Sequence, residues 1–300
     1  MSPATGQRLL ILAAALLFST GGAAIKATSL SGWQVACFRS GLAALALFIA
    51  MPAWRRWWLP RTLAVGVAYA ATMILYVTAN KLTTAANTIF LQSTAPIYLL
   101  LLGPLLLGER VRRSDLVLTA VMAAGMVMFF VGIDAPVTTA PQPLRGNVIA
   151  ALSGISWALT ILGLRWLGRD QGGREDDAAG GAVIAGNLIA CLFCLPFALP
   201  ATGAGVIDWT IIFYLGVFQI GLAYVCMTFA VRGLPALEAS LLLLLEPVLN
   251  SIWAWLIHGE QPGPCSLAGC AIILAATLLR TLLGPADKGE ILRTKIAQKG

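Results

Sequence analysis

One carboxylate sits deep in an apolar run of this chain: Glu246, in LLLLLEPVLNSIWAWLIHGE, with Asn250 and Trp253 four and seven residues further on. On a helix these positions share a stripe, so a carboxylate, an amide and an indole face the same way. Such a stripe can bind an ammonium group, or Glu246 can carry a proton. It can equally be structural, because Pro247 has no N–H and disrupts the preceding turn, leaving backbone groups in need of partners. Arg39, in FRSGLAALALF, is the basic counterpart. A guanidinium in an apolar span has to find a carboxylate or a helix C-terminus, or snorkel to an interface. If it reached a cavity instead, it could hold a substrate carboxylate.

Other apolar runs carry polar stripes of their own. Tyr69, Thr72, Tyr76 and Asn80 share one face, and Gln92, Pro96 and Gly103 share another, with Tyr98 turned partly aside. Ser153, Trp157 and Thr160 form a third stripe, and Tyr224 and Thr228 a fourth. Each can be interhelical glue or the wall of a binding site. Catalysis is not expected, since a membrane-embedded enzyme would need a nucleophile with its base or a pair of carboxylates. Cys191 and Cys194 imitate a metal or redox motif, but two thiols do not complete a site and the one histidine, His258, is remote in sequence. The six cysteines read as packing residues, and neither a metal nor a cofactor is expected.

The elements that position these residues are membrane helices. Hydrophobic residues make up 59% of the 300 and charged residues 11%, more apolar surface than a soluble fold of this size could hide. About 20 apolar residues cross a hydrocarbon core of roughly 30 Å. Ten such runs stand near 8–28, 33–52, 62–80, 84–107, 114–132, 146–168, 179–200, 209–230, 236–257 and 264–283. They are too long and too uniformly apolar for the strands of a barrel, and the first is too long for a cleaved signal peptide.

With the N-terminus inside, sixteen of the twenty Lys and Arg residues fall on the cytoplasmic side, which places both termini in the cytoplasm. Because the basic residues sort by side rather than forming one patch, the net charge of +7 does not indicate nucleic-acid binding. Trp33, Trp54, Trp57, Trp58, Trp166 and Trp209 lie at span ends and read as interfacial anchors.

The second half repeats the first. Lys81 precedes Pro96 by fifteen residues and Arg232 precedes Pro247 by fifteen, and each proline is followed twelve residues later by Gly-Glu, at Gly108-Glu109 and Gly259-Glu260. Five spans per copy is an odd number, so the second copy enters the membrane from the opposite side. The expected organisation is an all-α integral membrane protein with ten transmembrane helices as two inverted five-helix repeats around a central cavity. Residues 1–132 form the first repeat, 133–145 an outer linker, 146–283 the second repeat and 284–300 a basic cytoplasmic tail. Inverted repeats with interrupted helices point to transport by alternating access, with Pro96 and Pro247 as gating positions.

Spans ending in GER and GEQ, the paired APIY and EPVL segments and FRSGLAALALF resemble the ten-helix EamA type of the drug/metabolite transporter superfamily. Within it, LLLLLEPVLNSIWAWLIHGE is most similar to bacterial exporters of aromatic amino acids. The first copy departs from the second in carrying Ala95 opposite Glu246, so the two halves differ chemically at the centre. The resemblance implies a cavity surrounded by helices one, three, four, six, eight and nine, lined by Tyr76, Gln92, Tyr98, Trp157, Tyr224, Glu246 and Asn250. It further implies an inner-membrane exporter of amino acids, with aromatic or other largely apolar ones preferred. The alternatives are multidrug or lipophilic-cation efflux, with Glu246 as the counter-charge, or export of another small metabolite. The expected partners are a small solute and the lipid bilayer. One chain would suffice for transport, and the small-residue helices five and ten could also support a dimer.

Overall fold

The computed structural model describes residues 3–56, 59–107, 113–131, 137–169, 175–231, 242–243 and 245–283. Trp57, Trp58, Gly108-Glu109, Arg232, the start of the 133–145 linker and the 284–300 tail therefore lie outside the described residues. Within them the chain is almost wholly helical, with no strand and one isolated bridge between Val137 and Ala140. Helices are what an apolar chain adopts where water cannot satisfy the backbone, because each closes its hydrogen bonds within one segment.

In chain order the helices are α1 (Pro3–Ser19), α2 (Gly21–Ala27), α3 (Gly32–Ala50), α4 (Pro60–Leu82), α5 (Ala85–Gln92), α6 (Ala95–Leu107) and α7 (Arg113–Val131). They continue with α8 (Pro143–Arg169), α9 (Glu175–Ala198), α10 (Val206–Phe213), α11 (Ala223–Val231), α12 (Leu245–His258) and α13 (Pro264–Leu283). A π-helical stretch, Tyr214–Leu222, joins α10 to α11. Seven continuous or nearly continuous segments are long and apolar enough to cross a membrane, among them Thr5–Ala27, Ala85–Gly103 and Val206–Ala230.

Local chemistry sets the helix ends. Ser31 and Gln34 exchange hydrogen bonds in a capping box at the start of α3 (3.3 and 3.0 Å), and the Thr84 hydroxyl accepts from the Asn87 N–H to start α5. Gly259, at φ +66°, closes α12 in the left-handed region, where a side chain would be strained.

The two halves of the chain interleave. α1 packs on α11 and α12, α3 on α9, and α4 on both α8 and α9. α7 packs against α13 through small residues, as the composition of these two segments suggests: a Cβ on Gly269 would lie 2.8 Å from the Gly125 carbonyl oxygen. Large apolar side chains also cover the outside, including Leu45, Ile49, Leu192 and Phe193. A bundle that is hydrophobic both inside and out is matched to lipid.

Trp54 departs from its expected role. It is 1% exposed and fills the space over Gly180, where a Cβ would come within 2.0 Å of the indole. It is a core residue, whereas Trp33, Trp166 and Trp209 remain substantially exposed.

Candidate functional site

The helix irregularities converge at the centre of the bundle. Between α1 and α2, the Ser19 and Thr20 hydroxyls bond back to Leu16 and Leu17 carbonyls, both at 2.7 Å, offering the backbone an alternative to the helical ladder. Between α5 and α6, Ser93 and Thr94 do the same with Ile89 and Leu91, at 2.7 and 2.6 Å. The π-helical stretch supplies Gln219, whose Nε2 donates to the Phe18 carbonyl at 3.3 Å beside the first break. π-helical turns are frequent at functional sites, where they redirect side chains.

Around these breaks lies a cavity of about 160 Å³ lined by Phe18, Arg39, Thr72, Met73, Tyr76, Gln92, Trp157, Gln219, Ile220, Tyr224, Met227, Leu243 and Glu246. A second cavity of about 190 Å³ shares Gln92, Trp157, Leu243 and Glu246 with it and extends to Pro247 and Thr277. The walls are aromatic and aliphatic, with a few polar groups turned inward, a lining that suits a small amphipathic solute. The Gln92 amide donates to the Ser153 hydroxyl at 2.7 Å, which fixes its orientation against α8.

Five of the seven expected lining residues therefore meet here: Tyr76, Gln92, Trp157, Tyr224 and Glu246. Tyr98 does not line either cavity, and its hydroxyl contacts the Met126 sulfur at 3.7 Å, towards α7. Asn250 is fully buried and staples three helices: its Oδ1 accepts from Gly22 N–H and its Nδ2 donates to the Ala85 carbonyl, both at 3.1 Å. It shares the stripe of Glu246, but one helical turn displaces it by about 6 Å along the axis, beyond the cavity.

Pro96 does not interrupt a continuous helix, because the turn at Ser93–Thr94 separates α5 from α6. Pro96 is the second residue of α6 and Pro247 the third described residue of α12. In the first turn of α6 the missing N–H of Pro96 costs nothing. Pro247 touches the second cavity and Pro96 touches neither.

Arg39 and Gln219 join the site. Arg39 is 1% exposed, and it neither snorkels nor pairs with a carboxylate: its Nη2 donates to the Met73 sulfur at 3.4 Å, while Nε and Nη1 have no partner. Gly216, in the π-helical stretch, lets α3 approach closely at this point, since a Cβ there would lie 2.8 Å from the Arg39 carbonyl oxygen. Gln219 is signalled in the sequence only as a lone amide in YLGVFQIGLAY.

One end of the bundle is closed by a polar layer. Lys26 and Glu260 form an ion pair at 2.9 Å with side chains 3% and 2% exposed. Lys26 Nζ also donates to the Thr83 and Thr139 carbonyls. The second Glu260 oxygen accepts from Ala85 N–H at the start of α5, at 2.8 Å. Beside them, Asn147 Oδ1 accepts from the Thr83 hydroxyl and the Asn87 amide, and a His258 ring nitrogen bonds the Ala23 carbonyl. A pocket of about 500 Å³ borders this layer and shares no lining residue with the central cavities.

Comparison with known proteins agrees with this architecture. The EamA-like transporter family matches twice, over residues 7–131 and 144–282. The chain is 26% identical over 281 residues to the pseudopaline exporter CntI of Pseudomonas aeruginosa, covering 90% of this chain and 94% of that one. It is 28% identical over 143 residues to the threonine/homoserine exporter RhtA of Escherichia coli, covering 46% of each. A solved crystal structure superposes with a TM-score of 0.64 over 94% of this chain and 98% of that one at 21% identity, a likeness of fold. With both halves of the chain matched and membrane-spanning helices throughout, the protein belongs to the EamA-like transporter family.

Proposed function

We propose that the protein exports small zwitterionic metabolites, with largely apolar or aromatic amino acids preferred, from the cytoplasm across a bacterial inner membrane. The central cavity carries this reading: it is enclosed by helices of both halves and combines aromatic walls with one carboxylate and one guanidinium. Its relatives' described cargoes, pseudopaline in one case and threonine or homoserine in another, are small metabolites. Ten spans arranged as inverted repeats would put the Lys26–Glu260 layer at the outer face, so the closed layer and the cavity beneath it correspond to an inward-facing state. Alternating access then requires this layer to part and the opposite end to close.

Export is tested in cells expressing the protein and loaded with an amino acid by feeding a dipeptide. Phenylalanine should leave these cells faster than it leaves cells with an empty vector. Equal efflux for all amino acids tried would contradict the reading.

The topology makes its own prediction. A cysteine placed at Thr138, which is exposed beside the polar layer, should react with an impermeant maleimide applied outside intact cells. Reaction only after lysis would invert the orientation.

Pro96 and Pro247 keep a gating role in this proposal, Pro96 as a rigid start of α6 and Pro247 beside the second cavity. Replacement of either by Ala would restore a backbone N–H donor and relax the local backbone restriction, and should slow exchange more than it weakens binding. Unchanged rates in both variants at equal reconstitution would remove that role.

A further inference from the structure

We propose that Arg39 is the carboxylate anchor of the transport cavity, selecting solutes that carry a free carboxylate. The inference rests on the transport reading above and adds the substrate group that the cavity demands.

The argument begins with what Arg39 lacks. A guanidinium presents five N–H donors in a rigid fork, and at 1% exposure none is available to bulk water. Structural arginines in such places are paired with a carboxylate or with backbone carbonyls. Here, among the described residues, the hydrogen-bond acceptor is the weakly accepting Met73 sulfur, and Nε and Nη1 are left open. Those two nitrogens belong to a residue that lines the cavity. Among the described residues no carboxylate lies within ion-pair distance of Arg39.

Glu246 therefore does not neutralise Arg39. The two charges belong to opposite halves of the chain and line one cavity together with Tyr76 and Tyr224. A cavity with a separated guanidinium and carboxylate is complementary to a zwitterion, whose carboxylate completes the open fork while its ammonium meets Glu246. The open Gln219 Oε1, also without a partner, offers the ammonium a second acceptor. A simple cation would leave the guanidinium uncompensated, and a polyanion would face Glu246.

The test compares phenylalanine with phenylalaninamide, which keeps the ring and the ammonium and lacks the carboxylate. Both are used as competitors of labelled phenylalanine in counterflow with the full-length protein in proteoliposomes. Wild-type protein should exchange phenylalanine and resist the amide by at least about 10-fold, the scale of a lost charge-assisted hydrogen bond. Arg39→Gln should lose phenylalanine exchange while its binding of the amide, measured by calorimetry on the purified full-length protein in detergent, is unchanged, and Arg39→Lys should recover part of the loss. Equal competition by acid and amide in the wild type overturns the assignment even if the variants fail to fold. Equal loss of both ligands in Arg39→Gln overturns it as well, by marking a structural role. Failure of the wild type to exchange either compound, or any other amino acid, overturns the amino-acid reading together with this proposal.

Discussion

Replacing Glu260 by Gln is expected to produce the largest change of any single substitution, seen as a sharp loss of thermal stability in detergent and a loosening of the Lys26 end. Among the described residues Glu260 is the one carboxylate paired with the buried Lys26 ammonium, and it also receives the Ala85 N–H that starts α5. Removing one partner of a buried pair leaves an uncompensated charge and costs about 3–5 kcal/mol. If the layer is the outer gate, that cost falls on the inward-facing state and shifts the balance towards outward opening by roughly two to four orders of magnitude. Cysteine labelling at Thr84 from outside should then accelerate.

The control is the double variant Lys26→Met with Glu260→Gln, because an apolar and a neutral side chain can replace a buried ion pair without the unpaired charge. Its stability should return most of the way to wild type. A single Glu260→Gln variant as stable as wild type and equally protected at Thr84 would show that the layer holds nothing shut.

The second large effect concerns the cavity. Trp157 lines both cavities alongside Glu246, and truncating it to Ala removes an aromatic wall worth about 2–3 kcal/mol, roughly two orders of magnitude in affinity for an aromatic solute. Glu246→Gln should act more mildly on neutral amino acids, since the Gln carbonyl still accepts from an ammonium and the lost charge contribution is about 1 kcal/mol. Lipophilic cations behave differently. Among the described residues Glu246 is the one carboxylate lining the central cavity, so Glu246→Gln should abolish any transport of a cation that depends on it. Complete loss of neutral amino-acid exchange in Glu246→Gln, with binding intact, would instead indicate that Glu246 must be protonated and deprotonated during the cycle.

Helical periodicity made the polar faces legible in the sequence, and hydropathy made the apolar segments so. It did not give depth along the helix axis. Glu246 and Asn250 share a stripe, yet one lines the cavity and the other is consumed in stapling α2, α5 and α12. The breaks were legible as prolines, but hydroxyls bonding back to the preceding turn at Ser19–Thr20 and Ser93–Thr94 contribute to them without so plain a sequence mark. Gln219 was missed because a π-helical turn rotates the side chains out of the 3.6-residue period. The Lys26–Glu260 pair joins residues from opposite ends of the chain, and Glu260 read only as the polar stop of a span. Trp54 shows the same limit: an indole at a span end looks like an interfacial anchor until Gly180, far along the chain, opens a socket for it.

The account stands most directly on counterflow by the purified protein in liposomes preloaded with unlabelled solute. Labelled phenylalanine should accumulate transiently against preloaded phenylalanine or another apolar amino acid, with little response to a preloaded lipophilic cation and none to a nucleotide sugar. Accumulation driven by the cation, with no response to any amino acid, would contradict a cavity built around a zwitterion.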